Sequence, residues 1–483
     1  MRALLCIAGS FGVAAAAVWA AWEPTSPQSA PASAPSRAAP RYNVLFIIAD
    51  DLSAELGCYG NPLVHSPRID RLAAAGICFD RAYCQFPLCN PSRASILAGM
   101  RPASLGVLDN RTPPRRTVGP IPFLPEHFAR HGYVTLGVGK VAHEAFADSI
   151  AWDRFIFDAK NPSYRPKAVE AGEEIDREGR RRRRGASSLR WKALTLHEED
   201  DRDAYNATFA AAQLDSLRGH PFFLAVGFER PHLPFNAPKK YFDLYDPAKI
   251  PLPAHPPRAA AAAASAPNDD DSLSEDDYRK AVVAYYACIS YIDAQVGKLL
   301  DALERINLSE ETIVILTGDH GFSLGEHAGA WRKGSLHESV ARVPLILRVP
   351  GRRGGAHCPR LVELVDLYPT LTDLCGLPSP AHLEGDSMTP LLDDPNRPWK
   401  RAAFTQLRRQ RDGVAAQGVR TERYRYTWWP AAGTAELFDE QEDPDELKDL
   451  SGNPDLAEVR KKLADAMTAG WRAARPPPPA ARP

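Results

Sequence analysis

Two short stretches of this chain are apolar without the polar alternation of a half-exposed strand: residues 43–49, from Asn43 to Ala49, and residues 312–317, from Thr312 to Thr317. Such runs are expected of parallel strands covered on both faces. The first ends in Asp50-Asp51 and the second in Gly318-Asp319-His320. Further strands are predicted at 134–138, 222–226 and 344–349, and helical periodicity runs over 278–303. Strands alternate with helices, so the core is read as α/β. In open α/β sheets ligands gather beyond the carboxyl ends of the strands, which puts both acidic endings where a site belongs.

After residue 397 the pattern changes to short strands at 418–421 and 424–427, a turn over 443–446 and a helix over 456–474. The expected organisation is a catalytic domain over 42–397, a C-terminal subdomain over 398–475 and a disordered tail over 476–483. At the other end, Met1-Arg2, an apolar run over 3–17 and Ala20-Ala21 form a secretory signal pattern over 1–21. The alternative is an uncleaved membrane anchor. Residues 22–41 are a Pro/Ala/Ser-rich linker that cannot bury enough apolar surface to fold.

The 483 residues leave room for a large core, and a formal charge of -1 gives no electrostatic case for nucleic acid or membrane surfaces. Of eight cysteines, Cys6 lies in the signal and Cys89 is assigned to chemistry, and one local disulfide is expected among Cys58, Cys78 and Cys84. The run Arg180 to Arg184 reads as a solvated loop or an anionic-glycan contact, and residues 259–271 as a loop without chemistry.

The residues that narrow the chemistry most are Cys89-Asn90-Pro91-Ser92-Arg93. Pro91 suits the first turn of a helix that Gly99 ends, which sets Cys89 at the positive helix end. Asp50, Asp51 and Asp319 offer hard oxygen ligands for Ca²⁺ or Mg²⁺, with calcium preferred. In Gly139-Lys140-Val141-Ala142-His143 a spacing of three would set Lys140 and His143 on one helical face. Arg230-Pro231-His232-Leu233-Pro234-Phe235 places His232 beyond another strand, and Lys333 follows Trp331-Arg332.

This set resembles the sulfatase family, in its iduronate-2-sulfatase branch within the alkaline phosphatase superfamily, from residue 43 to residue 450. The resemblance rests on the Cys-x-Pro-Ser-Arg run, the paired acids, Gly-Lys-x-x-His, and Leu324-Gly325-Glu326-His327. It implies an α/β fold with a large, mostly parallel mixed sheet sandwiched by helices, and a smaller C-terminal α+β subdomain containing a short antiparallel sheet. It also implies that a formylglycine-generating enzyme oxidises Cys89 to Cα-formylglycine. The implied metal ligands are Asp50, Asp51, Asp319, His320 and the oxygen at position 89. Arg93 and Lys140 would steady the formylglycine, His143 would deprotonate its remaining hydroxyl so that sulfate leaves, and His232 and Lys333 would bind sulfate and help protonate the leaving alcohol. The implied substrate is a sulfated saccharide, whose uronate or second sulfate Arg408, Arg409 and Arg411 would read, in a secreted or periplasmic enzyme. The alternatives are a phosphonate or phosphate monoester hydrolase on the same fold, and a non-catalytic sulfoglycan-binding protein if Cys89 stays unmodified.

Overall fold

The reason residues 44–49 are apolar at every position lies in their neighbours, seen in a computed structural model that describes residues 42–156, 189–195, 197–253, 273–327, 330–408 and 415–477. The N-terminal segment 1–41, the Arg180 to Arg184 run, the loop 259–271, Arg409, Arg411 and residues 478–483 lie outside the described residues.

In chain order the strands are β1 (Asn43–Asp50), β2 (Ile77–Tyr83), β3 (Val134–Gly139), β4 (Arg154–Ile156), β5 (Trp191–Leu194), β6 (Phe222–Pro231), β7 (Phe235–Pro238), β8 (Thr312–Gly318), β9 (Ser323–Leu324), β10 (Trp331–Arg332), β11 (Arg342–Val343), β12 (Leu345–Arg348) and β13 (Ala356–Glu363). The C-terminal strands are β14 (Ala403–Arg408), β15 (Ala415–Arg420), β16 (Tyr424–Trp429) and β17 (Thr434–Asp439). The central sheet has nine strands in the order β11-β2-β12-β8-β1-β6-β3-β4, with β13 also pairing β2. Strands β8, β1, β6, β3 and β4 are parallel neighbours, while β12 runs antiparallel to β8 and β2.

Along β1, Leu45, Ile47 and Ala49 enter a core with the long helix Glu275–Arg305. The alternate residues Val44, Phe46 and Ile48 enter a second core with helices Cys89–Ala98 and Leu124–Arg130. Both faces are dry, so no polar alternation survives in the strand.

Expected and observed elements differ where glycine geometry intervenes. The C-terminal helix spans Ala457–Ala469 and then breaks at Gly470, whose φ of 74° is left-handed, before a short turn Trp471–Ala474. The expected local disulfide is absent: Cys58, Cys78 and Cys84 are free thiols, as are the other described cysteines. Cys58 and Cys78 meet as thiols on one face of the sheet, whereas Cys84 is buried in the core on the other.

The C-terminal antiparallel sheet, β14 to β17, is held against the larger part through buried charges. Lys400 Nζ lies 2.8 Å from Glu363 and 2.6 Å from Asp366, and Arg101 grips the same Glu363 through two nitrogens at 2.8 and 2.6 Å. Strand β14 also reaches the segment before Cys89: Gln406 N–H donates to the Gln85 carbonyl at 3.0 Å, and the Thr405 hydroxyl to that of Cys84 at 2.9 Å.

Removing Glu363 takes from the buried Arg101 guanidinium its paired carboxylate and leaves Lys400 with Asp366 alone at close range, so Glu363→Ala is expected to cost about 3–5 kcal/mol of unfolding free energy. Urea denaturation followed by tryptophan fluorescence checks this; an unchanged midpoint would show that the clamp lies elsewhere.

Candidate active site

Four adjacent parallel strands deliver the site. Asp50 is the last residue of β1, Asp319 and His320 follow β8, Lys140 follows β3, and His232 follows β6. The fifth component is the buried helix Cys89–Ala98, which presents Cys89 at its first position. Gly99 ends that helix with φ 64°, and a Cβ there would lie 2.3 Å from Leu383 Cδ2. Close approach is also needed between β6 and the start of the Lys140 loop, where a Cβ on Gly227 would sit 2.0 Å from the Lys140 carbonyl.

Asp51 turns out of β1 with φ 63°, a left-handed conformation that aspartate tolerates better than most residues. Its carbonyl accepts the Tyr285 hydroxyl at 2.7 Å, and that oxygen in turn accepts the Ser53 N–H at 2.9 Å. The Asp51 N–H donates to Asp319 Oδ1 at 3.2 Å. These bonds aim the carboxylate inward, 3.2 Å from His320 Nδ1 and 3.0 Å from Lys333 Nζ.

Cys89 Sγ lies 3.2 Å from Asp50 Oδ1 and 3.0 Å from Lys333 Nζ. Lys140 Nζ pairs with the other Asp50 oxygen. Arg93 donates from Nε to Asp319 Oδ2 at 2.7 Å and from Nη1 to the Lys140 carbonyl, with Nη2 3.8 Å from Asp50. Its fork therefore ties three strand ends together. His232 stands at the mouth with Nε2 3.9 Å from Asp51 Oδ2; its Nδ1 lies 2.6 Å from the Leu233 carbonyl, which assigns the proton to Nδ1.

The local fields follow from this packing. Burial alone would raise Asp50, but Lys140, His232, Lys333 and Arg93 hold its carboxyl well below the usual range. Burial, then the Asp50 charge, pushes the Cys89 thiol up to about 12, so it stays protonated. Burial and then Lys140 lower His143 to about 4, leaving a neutral imidazole.

Asp50, Asp51, Cys89 and His320 bring one potential ligand atom each to within 4.8 Å of one another. Asp51 Oδ2 and His320 Nε2 are buried without a hydrogen-bond partner. Orphaned acceptors among hard ligands fit a divalent cation. Asp319, also expected as a ligand, adjoins this group: its oxygens accept from Arg93 and the amides of Asp51 and His320, and Oδ2 lies 3.7 Å from His320 Nε2.

Asp50, Asp51, Cys89, Arg93, Lys140, His143, His232, Asp319, His320 and Lys333 thus come together here, with one difference in geometry. Lys140 and His143 do not share a helix: Gly139 turns the chain with φ 70°, and the next helical turn begins only at Glu144, with His143 as its cap. Lys333, in a short loop after β10, has a side chain only 19% exposed. Arg408 is exposed on β14. Sequence reasoning missed Tyr285 and Ser92, whose hydroxyl bonds the Asp319 carbonyl; a tyrosine 234 residues from Asp51 leaves no local signal.

A family profile described as Sulfatase matches residues 42–377, and one described as N-sulphoglucosamine sulphohydrolase, C-terminal, matches residues 325–472. The chain is 32% identical over 476 residues to the iduronate 2-sulfatase of Mus musculus, covering 82% of this chain and 86% of that one. It is 30% identical over 465 residues to a sulfatase of Formosa agariphila, covering 89% and 88%. A choline-sulfatase of Rhizobium meliloti is 30% identical over 439 residues, covering 85% and 83%. Among solved structures, the phosphonate monoester hydrolase of Agrobacterium radiobacter superposes with TM-score 0.74 at 24% identity, covering 90% of this chain and 96% of that one, a likeness of fold. With the profile spanning most of the chain, this protein belongs to the sulfatase family, hydrolases of sulfuric esters.

Proposed function

We propose that the protein hydrolyses sulfate monoesters of a sulfated carbohydrate, using Cys89 converted to formylglycine and one divalent cation, calcium before magnesium. The observation that carries this reading is the buried set Asp50, Asp51, Cys89 and His320 with Lys140 and Lys333 at its edge. Three carboxylates, Asp50, Asp51 and Asp319, face three cations, Arg93, Lys140 and Lys333. The balance is even before any metal, and a divalent ion tips it positive, as an anionic sulfate requires.

The metal would be held by Asp50, Asp51, Asp319, His320 and an oxygen at position 89. When bound it offsets the charge on the sulfate oxygens and acidifies a coordinated hydroxyl. Formylglycine supplies, once hydrated, the two geminal hydroxyls that cysteine and serine lack. A thiol kept protonated at neutral pH is itself a poor nucleophile, which favours the oxidised form.

Around that centre, Lys140 and Lys333 steady negative charge on the nucleophile and the sulfate. His143, uncharged, takes a proton from the hydroxyl that remains after sulfur is transferred. His232 binds sulfate at the mouth and, with Lys333, helps protonate the leaving oxygen. Arg93 orients both acids and makes no demand on substrate. The carbohydrate assignment leans on the similarity to iduronate 2-sulfatase, and a solved neighbour bound to D-glucosamine-2-N,6-O-disulfate, with TM-score 0.71 and 22% identity, shares the fold. Export through the N-terminal signal would bring the enzyme to such polysaccharides. No helix among the described residues is long and apolar enough to cross a membrane.

In protein from a host with formylglycine-generating activity, the tryptic peptide containing Cys89 is expected to be lighter by about 18 Da than its cysteine form, a loss the ordinary oxygen-adding ladder cannot produce. Sulfate release from a panel of sulfated mono- and disaccharides should accompany that mass, and Cys89→Ala should abolish it without lowering the melting temperature. An intact cysteine in active protein, or faster turnover of phosphonate esters than of every sulfate ester tried, would overturn the reading.

Chelation should lower the melting temperature, and re-adding Ca²⁺ should raise it by binding the native state alone. Asp51→Ala is expected to remove that calcium response; a response that persists in this variant places the ion elsewhere.

A further inference from the structure

His232 stands after an irregularity in the sheet. Strand β6 pairs with β1 up to Ala49 opposite Phe228, and the next pair is Asp50 opposite Pro231. Glu229 and Arg230 therefore bulge out of the ladder, and their N–H groups need other acceptors. Asp203, in the first turn of helix Arg202–Ser216 and wholly buried, provides them. Its Oδ1 accepts the Glu229 N–H and its Oδ2 the Arg230 N–H, both at 2.9 Å.

The bulge is gripped from its far side as well. Arg230 Nε donates to the Asn236 carbonyl at 2.7 Å, and Arg230 Nη2 lies 3.8 Å from Asp201. Asp201 caps the same helix through the Asp203 N–H at 3.0 Å and accepts the Tyr291 hydroxyl at 2.5 Å. The Glu229 carbonyl then accepts the His232 N–H at 3.0 Å, which closes the turn that carries the imidazole to Asp51.

We infer that Asp203 is a positioning residue for His232: by bridging the two amides that the bulge frees, it sets the place of the imidazole over the sulfate site without touching substrate. The inference rests on the proposed role of His232. A buried carboxylate that served folding alone would have no reason to be coupled to that one side chain.

The test is a double-mutant cycle with 4-nitrophenyl sulfate as probe, on the calcium-loaded, formylglycine-bearing enzyme. It compares wild type, Asp203→Ala, His232→Ala and the double variant, with melting temperatures throughout. Asp203→Ala is expected to lower kcat about 10- to 100-fold, the scale of an ångström-sized misplacement, with KM within about 3-fold. In the His232→Ala background the same change should do little more, because the two act as a unit. Full additivity, or a kcat within about 2-fold of wild type in folded Asp203→Ala, overturns the inference. If Asp203→Ala does not fold, Asp203→Asn, which keeps one acceptor oxygen, runs the same cycle and is judged on the same additivity. A His232→Ala variant with wild-type kcat would instead sink the role of His232 and the inference with it, a result distinct from an impaired His232→Ala beside an unimpaired Asp203 variant.

Discussion

The site depends on Arg93, a guanidinium with no exposed side-chain surface that bonds Asp319 at 2.7 Å, approaches Asp50 to 3.8 Å and donates to the carbonyl of Lys140. A buried charge is tolerated only where fixed partners replace its water. Here the partners are the carboxyl ends of β8, β1 and β3, so one side chain locks the relative heights of three strands. The helix bearing Arg93 begins with Cys89, and the same lock therefore sets Cys89 against the acids.

That arrangement explains why the surrounding polar groups are so heavily committed. Asp319 satisfies Arg93 and two amides, and this turns Asp51 and His320 toward the centre, where each keeps a buried atom without a partner. A set of acceptors left unsatisfied beside so many neighbouring donors has room for a divalent cation. The C-terminal sheet serves the same end from outside. Through β14 it bonds Cys84 and Gln85, and Phe86 packs with Leu336 and Trp429, so the loops before Cys89 and after Lys333 share one support.

Much of this was readable in the chain where the determinants are local. The unbroken apolar run of β1 requires cover on both faces, and Asp50 ends it. Pro91 and Gly99 bracket the Cys89 helix, whose observed start and end match that reading. Residue spacing misled where it presupposed a helix: Lys140 and His143 follow a glycine turn instead. The cysteine pattern misled as well: Cys58 and Cys78 do meet on one face but stay free thiols, and nearness along the chain did not reveal that Cys84 lies on the other face of the sheet.

The sequence by itself determined the α/β class, the acid-tipped strands and the helix that begins at Cys89, because each follows from a few consecutive residues and their burial. Only the tertiary structure decided that Lys333 touches Cys89, that Asp319 bonds Arg93 and the amides of Asp51 and His320, and that Tyr285 and Asp203 hold the loops of Asp51 and His232. Those roles depend on which strands lie side by side and on bonds between residues tens to hundreds of positions apart, and no local pattern of side chains encodes such distances.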